Sequence, residues 1–261
     1  MAIQAIERAA AILRELRDSR GLGLTELYER LQLAKGTTFG LLKALQAEGL
    51  VAQDRVTGRY QLGPGLLLLG RSYLDVAELR AAAVGWGERL AAGTGEEVRI
   101  AIPFEGRALV IHQVVRTADP LQNLEVGVGL PLHATALGKC LLAYTPKSTV
   151  AATHSHLEQF TPATITRPEA MVREIRKVLS QSWAIEREEF EVGIAAVGAP
   201  VFHASGELAG AVGVTGAHER ILTPRREPRA GLAMHVAAVA RGMSRELGAT
   251  RWPVSSTANR G

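Results

Sequence analysis

The sequence predicts an α+β protein of two parts: a small helical unit closed by a hairpin, and a larger unit with a central antiparallel sheet flanked by helices. Three observations carry this expectation. Apolar residues recur at helical spacing up to about Glu48, then give way to short alternating runs around a turn. Beyond Val76, strand-like runs joined by Gly-containing turns alternate with helical periods. A length of 261 residues suits two modest domains.

In the first unit, Ile3, Ile6, Ala9, Ala10, Leu13 and Leu16 form the stripe of an amphipathic helix, which Asp18 to Gly23 breaks. Thr25 is the expected N-cap of a short second helix, with Leu27, Tyr28 and Leu31 inward. Leu33 to Gly36 make a tight connection. A third helix then buries Thr38, Leu41, Leu42 and Leu45 and stops at the C-cap signal Gly49. Val51–Gln53 and Arg59–Leu62 flank the turn Asp54–Gly58 as a hairpin.

Three helices closed by a hairpin make a winged helix-turn-helix, whose third helix can enter a DNA major groove. Its outward face would carry Lys35, Thr37, Phe39, Gly40 and Lys43. Lys35 and Thr37 stand where base and phosphate contacts begin, and Phe39 suits a thymine methyl. Arg55 and Arg59 flank the hairpin turn, placed to neutralise phosphates or enter a minor groove. The plain alternative is a small helical domain with a solvated lysine face. Gly63-Pro64-Gly65 ends the hairpin. The run Leu66 to Tyr73 is too apolar for a free helix, so burial against the hairpin, its own chain or a second subunit is expected.

The second unit opens with a helix over Glu78–Ala92, with Leu79, Ala82, Ala83, Trp86 and Leu90 on one face. Strands follow at Val98–Pro103 and Ala108–Val115 around Glu105-Gly106. A helix is expected over Ala136–Tyr144, capped by Thr135, and another from Pro168 to about Ser180. Strands Ala195–His203 and Glu207–Thr215 turn at Ser205-Gly206, and Thr223-Pro224 is expected to start a last long helix to Leu247.

Composition narrows the functional classes. The 47% hydrophobic content excludes wholesale disorder. The longest aliphatic run, Leu66 to Leu69, falls far short of the ~18 residues a membrane span needs. Glu7 and Arg8 stand where a secretory signal would be apolar, so a cytoplasmic protein without a membrane partner is expected. Cys140 is the single cysteine, which excludes intramolecular disulfides. The net charge of +4 does not identify a nucleic-acid partner, because residues 1–70 hold only 9 Lys and Arg against 7 Asp and Glu. Residues 71–248 hold 19 of each.

The run LTELYERLQLAKGTTFGLLKALQAEGLVAQDRVTGRYQLGP resembles the DNA-binding domain of the IclR-type bacterial transcription regulators, and PLHATALGK, EEFEVGIAAVGAPVF and GAVGVTG extend the resemblance through the chain. Many members carry a basic or polar pair where this chain has Phe39-Gly40, so base preferences do not carry over. The resemblance implies a winged helix-turn-helix over 1–63, a linker helix over 64–77 and a GAF/PAS-like effector-binding domain over 78–248; the remaining stretch, 249–261, is expected to be a disordered tail. It also implies a homodimer, or a tetramer as a dimer of dimers, on a palindromic double-stranded DNA operator. Matched by motif, the effector-binding positions are Ala136, Leu137, Glu186, Ile194, Ala196, Gly213 and Thr215, with Thr135 capping the helix whose free N–H groups would hold an anionic group. That pocket would keep Glu186 and Thr215 as its polar side chains and be otherwise small and apolar. The stretches LAKGT, GRYQLG and PLH-TALGK are most similar to the actinobacterial glycerol-operon regulators, which implies glycerol, a polyol or its phosphate as effector and a repressor of a catabolic operon.

Enzymatic chemistry finds little support. Cys140 has no basic partner in sequence and reads as a buried structural thiol. His154 and His156 lack the further ligands of a zinc set, and His112 and His133 read as core histidines. Gly127-Val128-Gly129 lacks the third glycine of a dinucleotide loop, and no phosphate-binding GxxxxGK[ST] run exists. No cofactor is expected. The alternative is a small-molecule-binding enzyme of the same sensory fold with a non-functional helical appendage.

Overall fold

The computed structural model describes residues 2–17, 19, 21–69, 78–115, 124–145, 157–250 and 252, so the expectations on His154, His156 and 70–77 lie outside the described residues. The chain divides into two compact units, Met1–Val76 and Ala77–Gly261.

The first unit contains α1 (Ala2–Arg17), α2 (Leu24–Arg30), α3 (Lys35–Ala47), β1 (Val51–Gln53) and β2 (Tyr60–Leu62). Ile12, Leu16, Leu27, Leu42 and Leu45 close on Leu22, Val51 and Tyr60 as one core. Ile6, expected inward, is 70% exposed, because the start of α1 outruns the small core, which Ala9, Ile12, Leu13 and Leu16 reach. The second helix starts one residue before the expected cap. Gly23 occupies the cap position, and the Glu26 carboxylate accepts its N–H at 2.6 Å. That is half of a capping box, since glycine has no side chain to return the bond. Similarly, α3 starts at Lys35 with Ala34 as cap, so the connection is shorter than Leu33–Gly36. It ends as predicted, with Gly49 at φ 69° and its N–H bonded to the Gln46 carbonyl, while Leu50 N–H reaches Leu45 O at 2.9 Å. Leu22 pairs with Tyr60 in an isolated antiparallel bridge beside the hairpin. Residues 65–69 are helical, with Leu67, Leu68 and Leu69 largely exposed.

In the second unit, α4 (Glu78–Thr94) leads into β3 (Glu97–Phe104) and β4 (Arg107–Val114), joined through Glu105 and Gly106 at positive φ, the signature of a two-residue hairpin turn. β5 (Gly129–Pro131), α5 (Ala136–Tyr144), α6 (Pro168–Gln181), β6 (Ala184–Arg187), β7 (Ile194–Phe202), β8 (Leu208–Ala217), the short α7 (His218–Ile221) and α8 (Leu232–Glu246) complete it. The six strands run β5-β4-β3-β8-β7-β6, all antiparallel. Alternation decides what each face packs against. Val98, Ile100, Val197, Ala199, Val212 and Val214 meet Leu79, Ala83 and Leu90 of α4 and Val236, Ala240 and Met243 of α8. The opposite face meets Leu137, Leu141 and Leu142 of α5 and Met171, Ile175 and Val178 of α6.

Thr223-Pro224 does not open the last helix. Pro228 would sit inside such a helix without the N–H it needs, so residues 223–228 form a turn, with Thr223 N–H on Glu227 O at 2.8 Å. The helix begins after Gly231, at φ 78°. Trp252, within the expected tail, packs edge-on against Phe202 at 5.4 Å, and the rest of that stretch beyond Thr250 lies outside the described residues.

Lys139 of α5 is fully buried. Its Nζ donates to Ile185 O at 2.8 Å and Glu189 Oε1 at 2.6 Å, and Glu174 Oε1 of α6 stands 3.7 Å away. Lys139→Met should therefore strand a buried carboxylate. We expect a loss of about 3–5 kcal/mol in urea unfolding, partly recovered by adding Glu189→Gln.

Candidate functional site

On α3 the periodicity that buries Thr38, Leu42 and Leu45 turns Lys35, Thr37, Phe39, Gly40 and Lys43 to solvent. Lys43 Nζ lies 5.6 Å from the centre of the Phe39 ring, so the two form one exposed cation–aromatic pair. Gly36 and Gly40 leave open space where a Cβ would stand, which keeps this face low between Lys35, Phe39 and Lys43. At the hairpin tip, Asp54 Oδ1 accepts the Val56 and Thr57 N–H groups at 2.8 and 2.7 Å. Those bonds hold the Asp54 carboxyl below its usual range and fix the turn that exposes Arg55 and Val56. Arg59 is placed differently from the expectation. Its guanidinium folds back on α2, pairing with Glu26 at 2.8 Å and donating to Gly21 O at 2.9 Å. In this unit Arg59 clamps the hairpin to α2, and a phosphate would compete with Glu26 for it.

In the second unit, two cross-strand rows build the floor of a cavity of about 490 Å³. Register aligns Glu186, Ala196, Thr215 and Glu97 across β6, β7, β8 and β3. The next row is Ala184, Gly198, Gly213, Arg99 and Gln113, ending on β4. Above this floor stands the start of α5. A Cβ at Gly213 would come within 2.7 Å of Val197 O, and one at Gly198 would meet Ala136 backbone at 3.2 Å. Both glycines therefore let the helix start lie directly on the sheet. Thr135 caps it as predicted: its Oγ1 accepts Gly138 N–H at 3.1 Å and donates to Pro131 O at 2.8 Å.

The cavity lining includes Thr135, Ala136, Leu137, Glu186, Ile194, Ala196, Gly213 and Thr215, so the structure brings all eight sequence-selected residues together. The expectation of an otherwise apolar pocket is overturned. Glu97, Arg99, Glu125, Glu191 and Arg220 also line it. The ionic groups of β3 face inward because Arg99 sits opposite Gly213 and Glu97 opposite Thr215. That pairing joins strands more than a hundred residues apart. Alternation alone shows that residues 97 and 99 share a face, but not which face the cavity takes.

Arg99 pairs with Glu97 and, at 2.6 Å, with Glu125. Gln113 Nε2 donates to Glu97 Oε1 at 2.8 Å. Arg220 grips Glu96 with two bonds of 2.7 and 3.0 Å. Burial raises the Glu125 carboxyl above its ordinary value, against the pull of Arg99. Glu186 is 4% exposed. Burial lifts its carboxyl to about 8, with the Lys139 ammonium and the Phe190 and Ala136 amides opposing and Glu189 adding to the rise. Of the two helix-start amides expected to hold an anionic ligand group, those of Ala136 and Leu137, the first thus also acts on the Glu186 carboxyl.

The remaining candidates behave structurally. Cys140 is fully buried and its thiol is pushed up by burial. His133 Nε2 bonds with Glu158 O at 2.8 Å, and its ring rests near Phe160. His112 is half-buried, which lowers its pKa. Among the described residues, no cluster of three or more His, Cys, Asp or Glu has the arrangement to hold a metal ion. None of the described helices is long and apolar enough to cross a membrane.

Glu186 makes the fold pH-sensitive. An unfolded Glu loses its proton near its ordinary value of 4.5, whereas the folded one keeps it to about 8. The unfolded state therefore binds fewer protons between those values, and stability falls as pH rises through that window. Glu186→Gln should flatten the fall in melting temperature between pH 5 and 8.5, with the variant relatively more stable at the alkaline end.

Comparison with known proteins agrees with this architecture. The family described as bacterial transcriptional regulator IclR C-terminal matches residues 71–245, and the IclR helix-turn-helix domain matches residues 5–55. The glycerol operon regulatory proteins of Streptomyces coelicolor and Streptomyces griseus are 44% and 43% identical to this chain, each over 96% of it and 98% of their own length. The crystal structure of an IclR transcriptional regulator from Alicyclobacillus acidocaldarius superposes with a TM-score of 0.82 at 27% identity, covering 94% of this chain and 99% of that one. These families and relatives are transcriptional regulators, not enzymes. With a helix-turn-helix unit that exposes its third helix and a sheet-floored cavity behind a capped helix, the chain belongs to the IclR family of bacterial transcriptional regulators: it is a DNA-binding regulator with an effector domain.

Proposed function

We propose that the chain is a repressor of a polyol-catabolic operon, glycerol's among them, and binds a palindromic operator as a homodimer. The observation that carries the DNA contact is the α3 face, which presents Lys35, Thr37, Phe39 and Lys43 while its opposite stripe closes the core. Lys35 and Lys43 supply the counterion-releasing phosphate contacts, and Thr37 and Phe39 meet base edges and thymine methyls. Arg55 at the exposed hairpin tip reaches a flanking phosphate. Arg59 adds to that contact only by giving up Glu26.

The glycerol assignment rests on relatives named for a glycerol operon, which match nearly end to end. The exposed run Leu67 to Leu69 supports dimerisation, since three adjacent leucines in water are costly unless a partner covers them. The cavity of the second unit takes the effector, with Thr135, Ala136, Leu137, Glu186, Ile194, Ala196, Gly213 and Thr215 as its walls and floor. Effector binding changes operator affinity by biasing how the two helix-turn-helix units of the dimer present themselves, a coupling typically of ~1–3 kcal/mol.

The test separates the two halves of this reading. In fluorescence anisotropy on the chain's own upstream region, Lys35→Ala with Lys43→Ala should abolish specific binding at ~150 mM salt. Any residual affinity should show a salt slope shallower by ~4, one phosphate contact per lysine in each of the two half-sites. Ligand-induced stabilisation of the second unit should be unchanged. Wild-type operator affinity in the double variant would contradict the assignment of α3.

A further inference from the structure

We infer that the cavity selects an uncharged, hydroxyl-rich ligand and turns away anions such as phosphate esters and carboxylic acids. The inference rests on the proposal that this cavity is the effector site, and it names the chemistry of what enters.

Charge weighs against an anion. Among the described residues, the carboxyl groups of Glu97, Glu125 and Glu191 line the cavity beside the protonated Glu186, against two guanidiniums, those of Arg99 and Arg220. Neither guanidinium waits for a ligand. Arg99 lies between Glu97 and Glu125, and Arg220 holds both oxygens of Glu96. An incoming phosphate would have to take one of them and leave a carboxylate of the protein in a part-buried place without its counter-charge, which is unfavourable. Lys139 offers no alternative. It is fully buried behind the cavity and already engaged by Glu189 and the Ile185 carbonyl.

The helix start is already shared with the protein's own groups. An N-terminal turn with free amides would attract an anion. Here the Gly138 amide is taken by Thr135 Oγ1, and the buried Glu186 carboxyl lines the same cavity as Ala136 and Leu137. An anion at that turn would share it with an acid of the protein, whose ionisation it would oppose.

The balance of donors and acceptors also favours an alcohol. Ionised carboxylates only accept hydrogen bonds, phosphate and carboxylate ligands bring mostly acceptors, and alcohols bring one donor with every acceptor. Polyol hydroxyls can donate to Glu97, Glu125 and Glu191 and still accept from Thr215 or a protonated Glu186. The volume of about 490 Å³ lies within the range of small-molecule pockets, so a five- or six-carbon polyol fits as well as glycerol.

Calorimetry on the full chain with glycerol, xylitol and sorbitol, beside glycerol 3-phosphate and benzoate, tests the inference. At least one polyol should bind saturably, with both anions at least tenfold weaker. Glu191→Gln, at the exposed end of the cavity, and Glu125→Gln should each raise the affinity for glycerol 3-phosphate several-fold, with melting curves confirming that each variant is folded. Tighter binding of either anion than of every polyol overturns the inference, and so does an absence of heat with all three polyols. Anisotropy on the operator distinguishes this failure from a wider one. Release by an anion alone would sink the ligand class and leave the regulator standing, whereas no operator binding under any condition would remove the DNA-binding reading itself.

Discussion

The second unit is organised around one buried ammonium. Lys139 is fully buried, and its donors go to the Ile185 carbonyl and the Glu189 carboxylate, with Glu174 of α6 beside them. Those contacts join α5, α6, β6 and the turn after β6. A buried ion cluster adds little net stability over an apolar core, but breaking it is costly, so it acts mainly as a constraint on position. Thr161 and Thr164 secure the same turn by donating to Glu188 O and Glu189 O, each at 2.6 Å. With α5 held there, Gly198 and Gly213 admit its first turn onto the sheet, and the cavity takes its shape from that approach.

The same constraint governs the chemistry of the cavity. Glu186 is buried on the floor, near enough to Lys139 to feel its charge, yet desolvation prevails and keeps its proton through neutral pH. Around it the guanidiniums of Arg99 and Arg220 are satisfied by the protein's own acids. The described lining of the cavity is polar, and among the described residues no cluster of His, Cys, Asp or Glu has the arrangement to hold a metal ion. In the first unit, charge is divided between structure and function: Arg59 is tied to Glu26, while Lys35, Lys43 and Arg55 face solvent.

Much of this was legible in the sequence where local rules act alone. The stripe Thr38, Leu42 and Leu45 determines which face of α3 is free, and the Thr135 cap and Pro168 at a first helical turn mark their helices. Seven of the eight cavity positions came from a resemblance to a family, not from periodicity, and Thr135 came from its place as a helix cap. What escaped depends on long-range pairing or on competition between local signals. Arg99 and Glu97 enter the cavity only through the β3–β8 register. Thr25 lost the cap of α2 because Glu26 already reaches the Gly23 amide. Thr223-Pro224 is a good helix opening on its own, but Pro228 defeats it four residues later.

In the proposed function, ligand in the sheet-floored cavity controls the DNA-reading helix. Footprinting of the chain on its own upstream region, with and without saturating polyol, is the decisive measurement. Two protected half-sites about one helical turn apart, ~10 base pairs centre to centre, are expected, with protection lost when the polyol is added. Protection that persists at polyol concentrations shown by calorimetry to fill the cavity would rule out that control.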